Sequence, residues 1–286
     1  MRSSPLVHRV QASLFPVNAY LVETTDGVIA VDATLGVSDG RAIRARVGAL
    51  GKPLLAVLLT HSHPDHYGGI APLLGGDLVP VIAVGGVEDV VRRDDAVKEA
   101  ILRPMFGAEW PTSRTFPTRR VSDGERVEFG DVGFRVLDLG PGESPHDSVW
   151  VLDGDGPTQA FVGDLVYSHM HGYLADGFYT EWLGNITRAR RELPPDATFL
   201  MGHGEPGTAA PLLAWQERYI ETFLSAVREG PDEPAALAYF VSRELHALLP
   251  TEDLFFLAQL SVEPLRARLR ASTAMKDAMS DAKREA

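Results

Sequence analysis

The sequence predicts an α/β fold: two strand-rich halves, each backed by helices, followed by a C-terminal helical extension. Three observations predict it. Short, almost wholly apolar runs alternate with helical stretches, and several of those runs end in histidine or aspartate. Turn-forming stretches such as Thr24-Thr25-Asp26-Gly27 and Gly130-Asp131 join neighbouring runs in the manner of hairpins. From Ala209 onward the apolar residues recur at helical spacing, as in Leu212, Leu213, Trp215, Tyr219 and Phe223.

Taken in order, residues 17–23 and 28–33 read as a strand hairpin. Ser38 or Asp39 can cap a helix reaching about Leu50, with Gly51 as its stop. A strand over 54–60, a helix over 66–74 and a strand over 80–84 follow. Residues 87–106 read as a long, charged helix that Pro104 should break or kink near its end. The surplus chain at 87–119 is either a cap beside the site described next or a solvated surface insertion. Strands at 127–129, 132–139, 148–152, 159–162 and 197–201 and a helix over 181–193 complete a first domain, 1–208. The extension, 209–286, divides into helices at 209–229, 233–248, 251–261 and 263 to near the end, where the tail should fray.

The densest chemistry lies between Leu58 and Gly69, L-L-T-H-S-H-P-D-H-Y-G-G. It follows an apolar strand, so the polar cluster falls at a strand's C-terminal tip, where an open sheet leaves a crevice. His61 and His63 project to one side if the chain stays extended, and Pro64 then turns it. Four nitrogen and oxygen ligands within six residues are too many for one tetrahedral zinc and suit two adjacent ions.

Composition narrows the rest. The 286 residues are 45% apolar, and 27 Lys and Arg against 39 Asp and Glu give a formal charge of −12. That balance argues against a nucleic-acid partner. The absence of cysteine removes disulfides, thiolate nucleophiles and sulfur ligands. No apolar run has membrane-spanning length, and M-R-S-S-P-L-V-H lacks a signal-peptide core. A cytoplasmic protein with a small-molecule substrate and no membrane partner is expected, and a homodimer is left open.

The H-S-H-P-D-H run resembles the signature of the metallo-β-lactamase superfamily, as do His146 in G-P-G-E-S-P-H-D-S, Asp164 in A-F-V-G-D-L and His203 in F-L-M-G-H-G. The resemblance covers about Val17 to Pro206 and implies an αββα sandwich with ligands on loops at one edge of two sheets. It implies two zinc ions, one on His61, His63 and His146, the other on Asp65, His66 and His203, with Asp164 bridging; iron or manganese would also be accepted. Asp32 takes the place of the family's aspartate that supports the metal loop from behind the ligands, or is simply a turn former at a strand end. Asp65 is the candidate to pass the proton to the leaving group. Tyr167, three residues after Asp164, is similar to a tyrosine of the acyl-homoserine lactonases that points at the substrate carbonyl; anchoring its loop by packing is the alternative. His169, His171, Tyr173 and Trp182 are expected to line the substrate pocket. Asp147 and Ser148 either orient His146 or form a turn.

The resemblance also prunes. The zinc β-lactamases lack a bridging aspartate, and most use cysteine. RNA-processing members carry large insertions or basic surfaces. Flavodiiron members have Glu where this chain has His63. Glyoxalase II fits all seven ligands, but its basic glutathione-contacting pattern is missing from the C-terminal helices. What survives is hydrolysis of a small ester, lactone or thioester. The alternative is a persulfide-dioxygenase-like oxidoreductase with a single iron.

Overall fold

The computed structural model describes residues 5–154 and 156–285. Met1 to Ser4, the start of the segment read for a leader, lie outside the described residues. One six-stranded sheet carries β1 (Val7–Gln11), β2 (Asn18–Glu23), β3 (Val28–Val31), β4 (Leu54–Leu58), β5 (Val81–Val84) and β6 (Arg119–Val121) in that order. The β1–β2 and β2–β3 pairs are antiparallel and the other three parallel. The connections carry α1 (Val37–Ala49), α2 (Pro64–Tyr67), α3 (Ile70–Leu74) and α4 (Gly85–Phe106).

The second sheet orders β7 (Arg126–Phe129), β8 (Val132–Gly140), β9 (Asp147–Leu152), β10 (Gln159–Gly163), β11 (Thr198–Met201) and β12 (Gly207–Thr208) from one edge to the other. Only β10–β11 is parallel, because α5 (Tyr179–Glu192) lies between those two strands in the chain. The C-terminal helices are α6 (Ala209–Glu229), α7 (Pro234–Leu248) and α8 (Phe255–Glu285).

The side-chain period of two sorts the second sheet between two cores. Phe134, Val136, Trp150, Phe161 and Leu200 face the first sheet and share its core. Their neighbours Leu137, Val149, Val151, Phe199 and Met201 point the other way and pack with Trp182, Leu213, Tyr219, Phe223 and Leu265 of the helices. The result is helices, sheet, sheet, helices, with α6 to α8 sharing a core with the second sheet. Strands buried on both faces, such as β9, read as unbroken apolar runs for this reason.

Several boundaries differ from the sequence reading. β1 and β6 were not legible: β1 is partly exposed and alternates with polar residues, and β6 is Arg119-Arg120-Val121. The helix expected over 66–74 is two short ones, α2 and α3. Gly68 and Gly69 lie against the turn at 33–35, where a Cβ on Gly69 would stand 1.9 Å from the Ala33 carbonyl. Pro104 falls in the last turn of α4, which ends two residues later against Gly107 at φ 54°. Arg103 stitches that end by donating to the carbonyls of Gly107, Trp110 and Pro111. The expected break near 262 is absent, since α8 runs through Pro264. Among the described residues, no helix is long and apolar enough to cross a membrane.

Candidate metal centre

Strand ends from both sheets converge on one place. β4 delivers Thr60 and His61, and the following turn delivers His63, Asp65 and His66. β10 ends at Gly163 and hands over Asp164, while β11 ends at Met201 just before Gly202 and His203. The sheets are tied there: His61 bridges Asp147, and Ser148 N–H donates to the Thr60 carbonyl at 2.8 Å. Close approach needs glycine. A Cβ on Gly202 would sit 2.2 Å from Asp164 Oδ1 and 2.5 Å from His66 Cε1.

Each histidine is held by one ring nitrogen so that the other faces inward. His66 Nδ1 donates to Asp32 Oδ2 at 2.8 Å. His61 Nδ1 donates to Thr60 Oγ1 at 2.9 Å, and that hydroxyl donates on to Asp32 Oδ2. His203 Nδ1 donates to the Pro16 carbonyl at 2.6 Å, and His63 Nε2 to Asp176 Oδ2 at 3.0 Å. Such partners fix tautomer and ring orientation in metal sites. Asp32 itself is held at φ 59° and also accepts the Thr60 N–H.

The inward atoms form three overlapping groups whose ligand atoms lie within 4.8 Å of one another: His61, His63 and Glu143; His61, His66 and Asp164; and Asp65, His66 and His203. Six of the seven residues expected from sequence therefore come together. His146 does not. Its Nε2 pairs with Asp138 Oδ1 at 2.7 Å, its ring lies against Gly86 at the start of α4, and it is partly exposed. The place beside His61 and His63 belongs to Glu143, whose Oε2 is 2.7 Å from His63 Nδ1 and 3.6 Å from His61 Nε2. The loop makes this choice. Asp147 accepts the backbone N–H groups of Glu143 and Ser144, curling the chain so that Glu143 points in and Pro145 carries His146 out. Asp147 and Ser148 thus fix Glu143's loop and its junction with Thr60 rather than His146's ring.

Electrostatics match this crowding. Burial pushes the Glu143 carboxyl up to about 8 and Asp147 to about 6. Burial also opposes charge on His203, but Asp164 and Asp65 outweigh it and lift the imidazole to about 10. Burial, with His66 close by, holds His61 well below the ordinary imidazole value.

Tyr167 is fully buried, with its hydroxyl 2.8 Å from both Glu143 Oε1 and Asp164 Oδ2 and its ring stacked 5.0 Å from that of His203. The hydroxyl is thus engaged among the carboxylates instead of facing a substrate. Of the residues expected to line a pocket, Tyr173 stands edge-on to His63 at 5.4 Å. The others lie elsewhere. Trp182 is core, donating Nε1–H to the Leu165 carbonyl. His171 is buried between Tyr219 Oη and the Thr251 carbonyl, and His169 is exposed near Trp215. Both were drawn to the site by sequence proximity, but the chain from Ser168 turns toward the C-terminal helices. The wall beside His63 comes instead from Asp176, Phe178 and α4. There Ser62, Val90, Arg93, Asp94, Lys98 and Pro145 complete a cavity of about 240 Å³.

Whether this set suits a metal can be judged from its unpartnered atoms. His61 Nε2, His66 Nε2, His203 Nε2, Glu143 Oε2 and Asp164 Oδ1 are all buried without a hydrogen-bond partner. With His63 and Asp65 they face one another at 2.7–3.9 Å, and crowding buried polar atoms together with no hydrogen bond made is costly unless a cation satisfies them jointly. The residues present fit metal ions.

Comparison with known proteins gives a consistent picture. Residues 12–203 match the sequence profile of the Metallo-beta-lactamase superfamily. A hydroxyacylglutathione hydrolase of Cupriavidus taiwanensis is 28% identical over 188 residues, 59% of this chain and 61% of that one. Uncharacterized protein YobT of Bacillus subtilis is 51% identical over 61 residues, 21% of this chain and 26% of its own length. The chain thus spans less than two thirds of these relatives. A beta-lactamase domain protein from Burkholderia ambifaria superposes with a TM-score of 0.71 at 20% identity, over 94% of this chain and 87% of that one.

Proposed function

The chain belongs to the metallo-β-lactamase superfamily, and on that premise we propose that it is a two-metal hydrolase of a small ester, lactone or thioester. The observation carrying this reading is the set of five buried ligand atoms that converge from both sheets and face one another without a hydrogen bond made. His61, His63 and Glu143 would hold one cation, Asp65, His66 and His203 the other, with Asp164 between them. Imidazole and carboxylate donors accept zinc, iron or manganese. Ions bound there supply a water acidic enough to ionise near neutral pH and polarise the carbonyl under attack.

The chain's own residues divide the remaining work. Asp65 is the carboxylate of the cluster with solvent access, its side chain 17% exposed against 3% for Asp164, and its Oδ2 lies 3.2 Å from His203 Nε2. It is placed to carry the proton to the leaving group. Tyr167 steadies Glu143 and Asp164. The cavity beside His63 seats a modest group between α4 and Phe178, and the thioester named in the hydroxyacylglutathione relative makes a thioester the leading choice among the three bonds. Completeness of both clusters supports two metals over the single-iron dioxygenase. The test is metal analysis of protein isolated without supplementation, run beside a screen of thioesters, lactones and aryl esters. About two metals per chain with hydrolysis of one class is expected. One iron per chain with oxygen consumption on a persulfide and no hydrolysis would overturn the reading.

A further inference from the structure

We propose that Glu143, steadied by Tyr167, is the metal-selecting residue of the first site and shifts the protein from zinc toward manganese or iron. The inference rests on the two-metal reading and deepens it. With Glu143 in place, the seven ligands are four imidazoles and three carboxylates. An imidazole at that position would leave five and two. The exchange replaces a neutral nitrogen donor by an anionic, hard oxygen donor in a fully buried position, where its charge is little screened. Oxygen donors suit manganese and, among nitrogen and oxygen sites, ferrous iron, whereas zinc gains most from imidazole and thiolate. A carboxylate can also give a second oxygen, and so fits ions that take five or six ligands better than an ion content with four.

Glu143 is built into the site. Oε1 lies 2.8 Å from Tyr167 Oη, and Oε2 points between the two histidines, 2.7 Å from His63 Nδ1 and 3.6 Å from His61 Nε2. Its backbone is clamped by Asp147 Oδ2, and the preceding Gly142 leaves room for that carboxylate, since a Cβ there would lie 2.5 Å from it. His63 is held from behind by Asp176. Tyr167 Oη lies 2.8 Å from both Glu143 Oε1 and Asp164 Oδ2, and by holding Glu143 through Oε1 it leaves Oε2 turned toward His61 and His63. It is a positioning residue for the ligand.

Zinc outcompetes manganese and ferrous iron at most nitrogen and oxygen sites, so the measurable effect is a narrowing of that margin. Metal-free protein is offered limiting, equal zinc and manganese, and the bound metals are counted; the metals carried by protein isolated from unsupplemented cells are counted in parallel. Wild type as isolated should carry a larger share of iron and manganese than Glu143→His does. Glu143→His should carry zinc and raise the zinc-to-manganese binding ratio at least tenfold. Glu143→Gln, which keeps the shape and removes the charge, should raise the ratio while lowering total metal. Tyr167→Phe should move the ratio in the same direction by less, without changing the circular dichroism of the fold. A ratio unchanged within twofold between wild type and whichever Glu143 variant folds overturns the proposal. Its failure is separable from that of the hydrolase reading: hydrolysis by zinc-loaded wild type would survive an unchanged ratio, and a shifted ratio would survive the absence of hydrolysis.

Discussion

Replacing Asp32 by alanine tests the arrangement at the point where the two His-bearing segments are joined. Asp32 accepts three hydrogen bonds, from Thr60 N–H at 2.9 Å, Thr60 Oγ1 at 2.8 Å and His66 Nδ1 at 2.8 Å, all buried. In Asp32→Ala the hydroxyl can rotate to another acceptor, but the amide and the imidazole N–H cannot. Each buried orphan costs about 1–3 kcal/mol, so roughly 2–6 kcal/mol is expected for the two together. Alanine tolerates the φ of 59° no better than aspartate does, so no relief of backbone strain offsets the loss. At about 2–4 °C per kcal/mol for a chain of this size, the metal-free protein should melt roughly 4–24 °C lower. Freed of its partner, the His66 ring can turn its lone pair away from the centre, and metal affinity should fall about 10–100-fold. Differential scanning calorimetry of the metal-free form and chelator competition for the loaded form read the two effects separately. A melting point within 2 °C of wild type together with metal affinity within twofold would refute the argument that Asp32 orients this side of the centre.

Three other outcomes follow from the same geometry. Gly202→Ala puts a methyl 2.2 Å from Asp164 Oδ1; overpacking of this kind costs about 1–3 kcal/mol, and the displaced carboxylate should cost the protein bound metal, counted by atomic emission. His146→Ala should keep wild-type metal content and hydrolysis, because that ring pairs with Asp138 outside the cluster; loss of one metal per chain would return His146 to the ligand set. In the metal-free protein the Glu143 carboxyl, raised by burial to about 8, stays protonated while its unfolded counterpart ionises near pH 4.3. Its contribution is therefore complete below about pH 4 and lost as pH rises toward 8, by at most about 1.4 kcal/mol per pH unit. The melting point of metal-free protein should fall between pH 5 and 8, and Glu143→Gln should flatten that slope.

The layers were legible because burial on both faces writes strands as apolar runs, and because α6, from Ala209 to Glu229, keeps a helical period throughout. What the sequence hid are elements formed by pairing rather than burial. β6, Arg119-Arg120-Val121, exists because Thr118 to Val121 completes the backbone hydrogen bonds of β5, and no hydrophobic pattern announces that. The same limit applies to the segment after Tyr167, where spacing along the chain suggested a pocket wall and packing against Tyr219 and Phe255 drew His171 into the C-terminal helices.

The centre shows where a motif stops being sufficient. Asp164 follows directly on β10, and His203 follows Gly202, the residue just past the end of β11, so the strands aim them, and a reading of apolar runs finds them. Between β8 and β9 the chain offers two candidates three residues apart, Glu143 and His146, and residue type alone favours the imidazole. The decision lies in the turn. Asp147 Oδ2 accepts the Glu143 N–H at 2.6 Å and Oδ1 the Ser144 N–H at 3.1 Å, while the Ser144 hydroxyl donates to Asp147 Oδ1 at 2.6 Å. A turn closed this way must present position 143 to the interior and carry position 146 toward α4, where Gly86 has no side chain and the imidazole takes the space a Cβ would fill. Substituting Gly86 would crowd His146 without reaching Glu143, and removing the Asp147 carboxylate would free the loop to offer either residue. Asp147, which binds no metal in this arrangement, therefore determines which donor the first site receives.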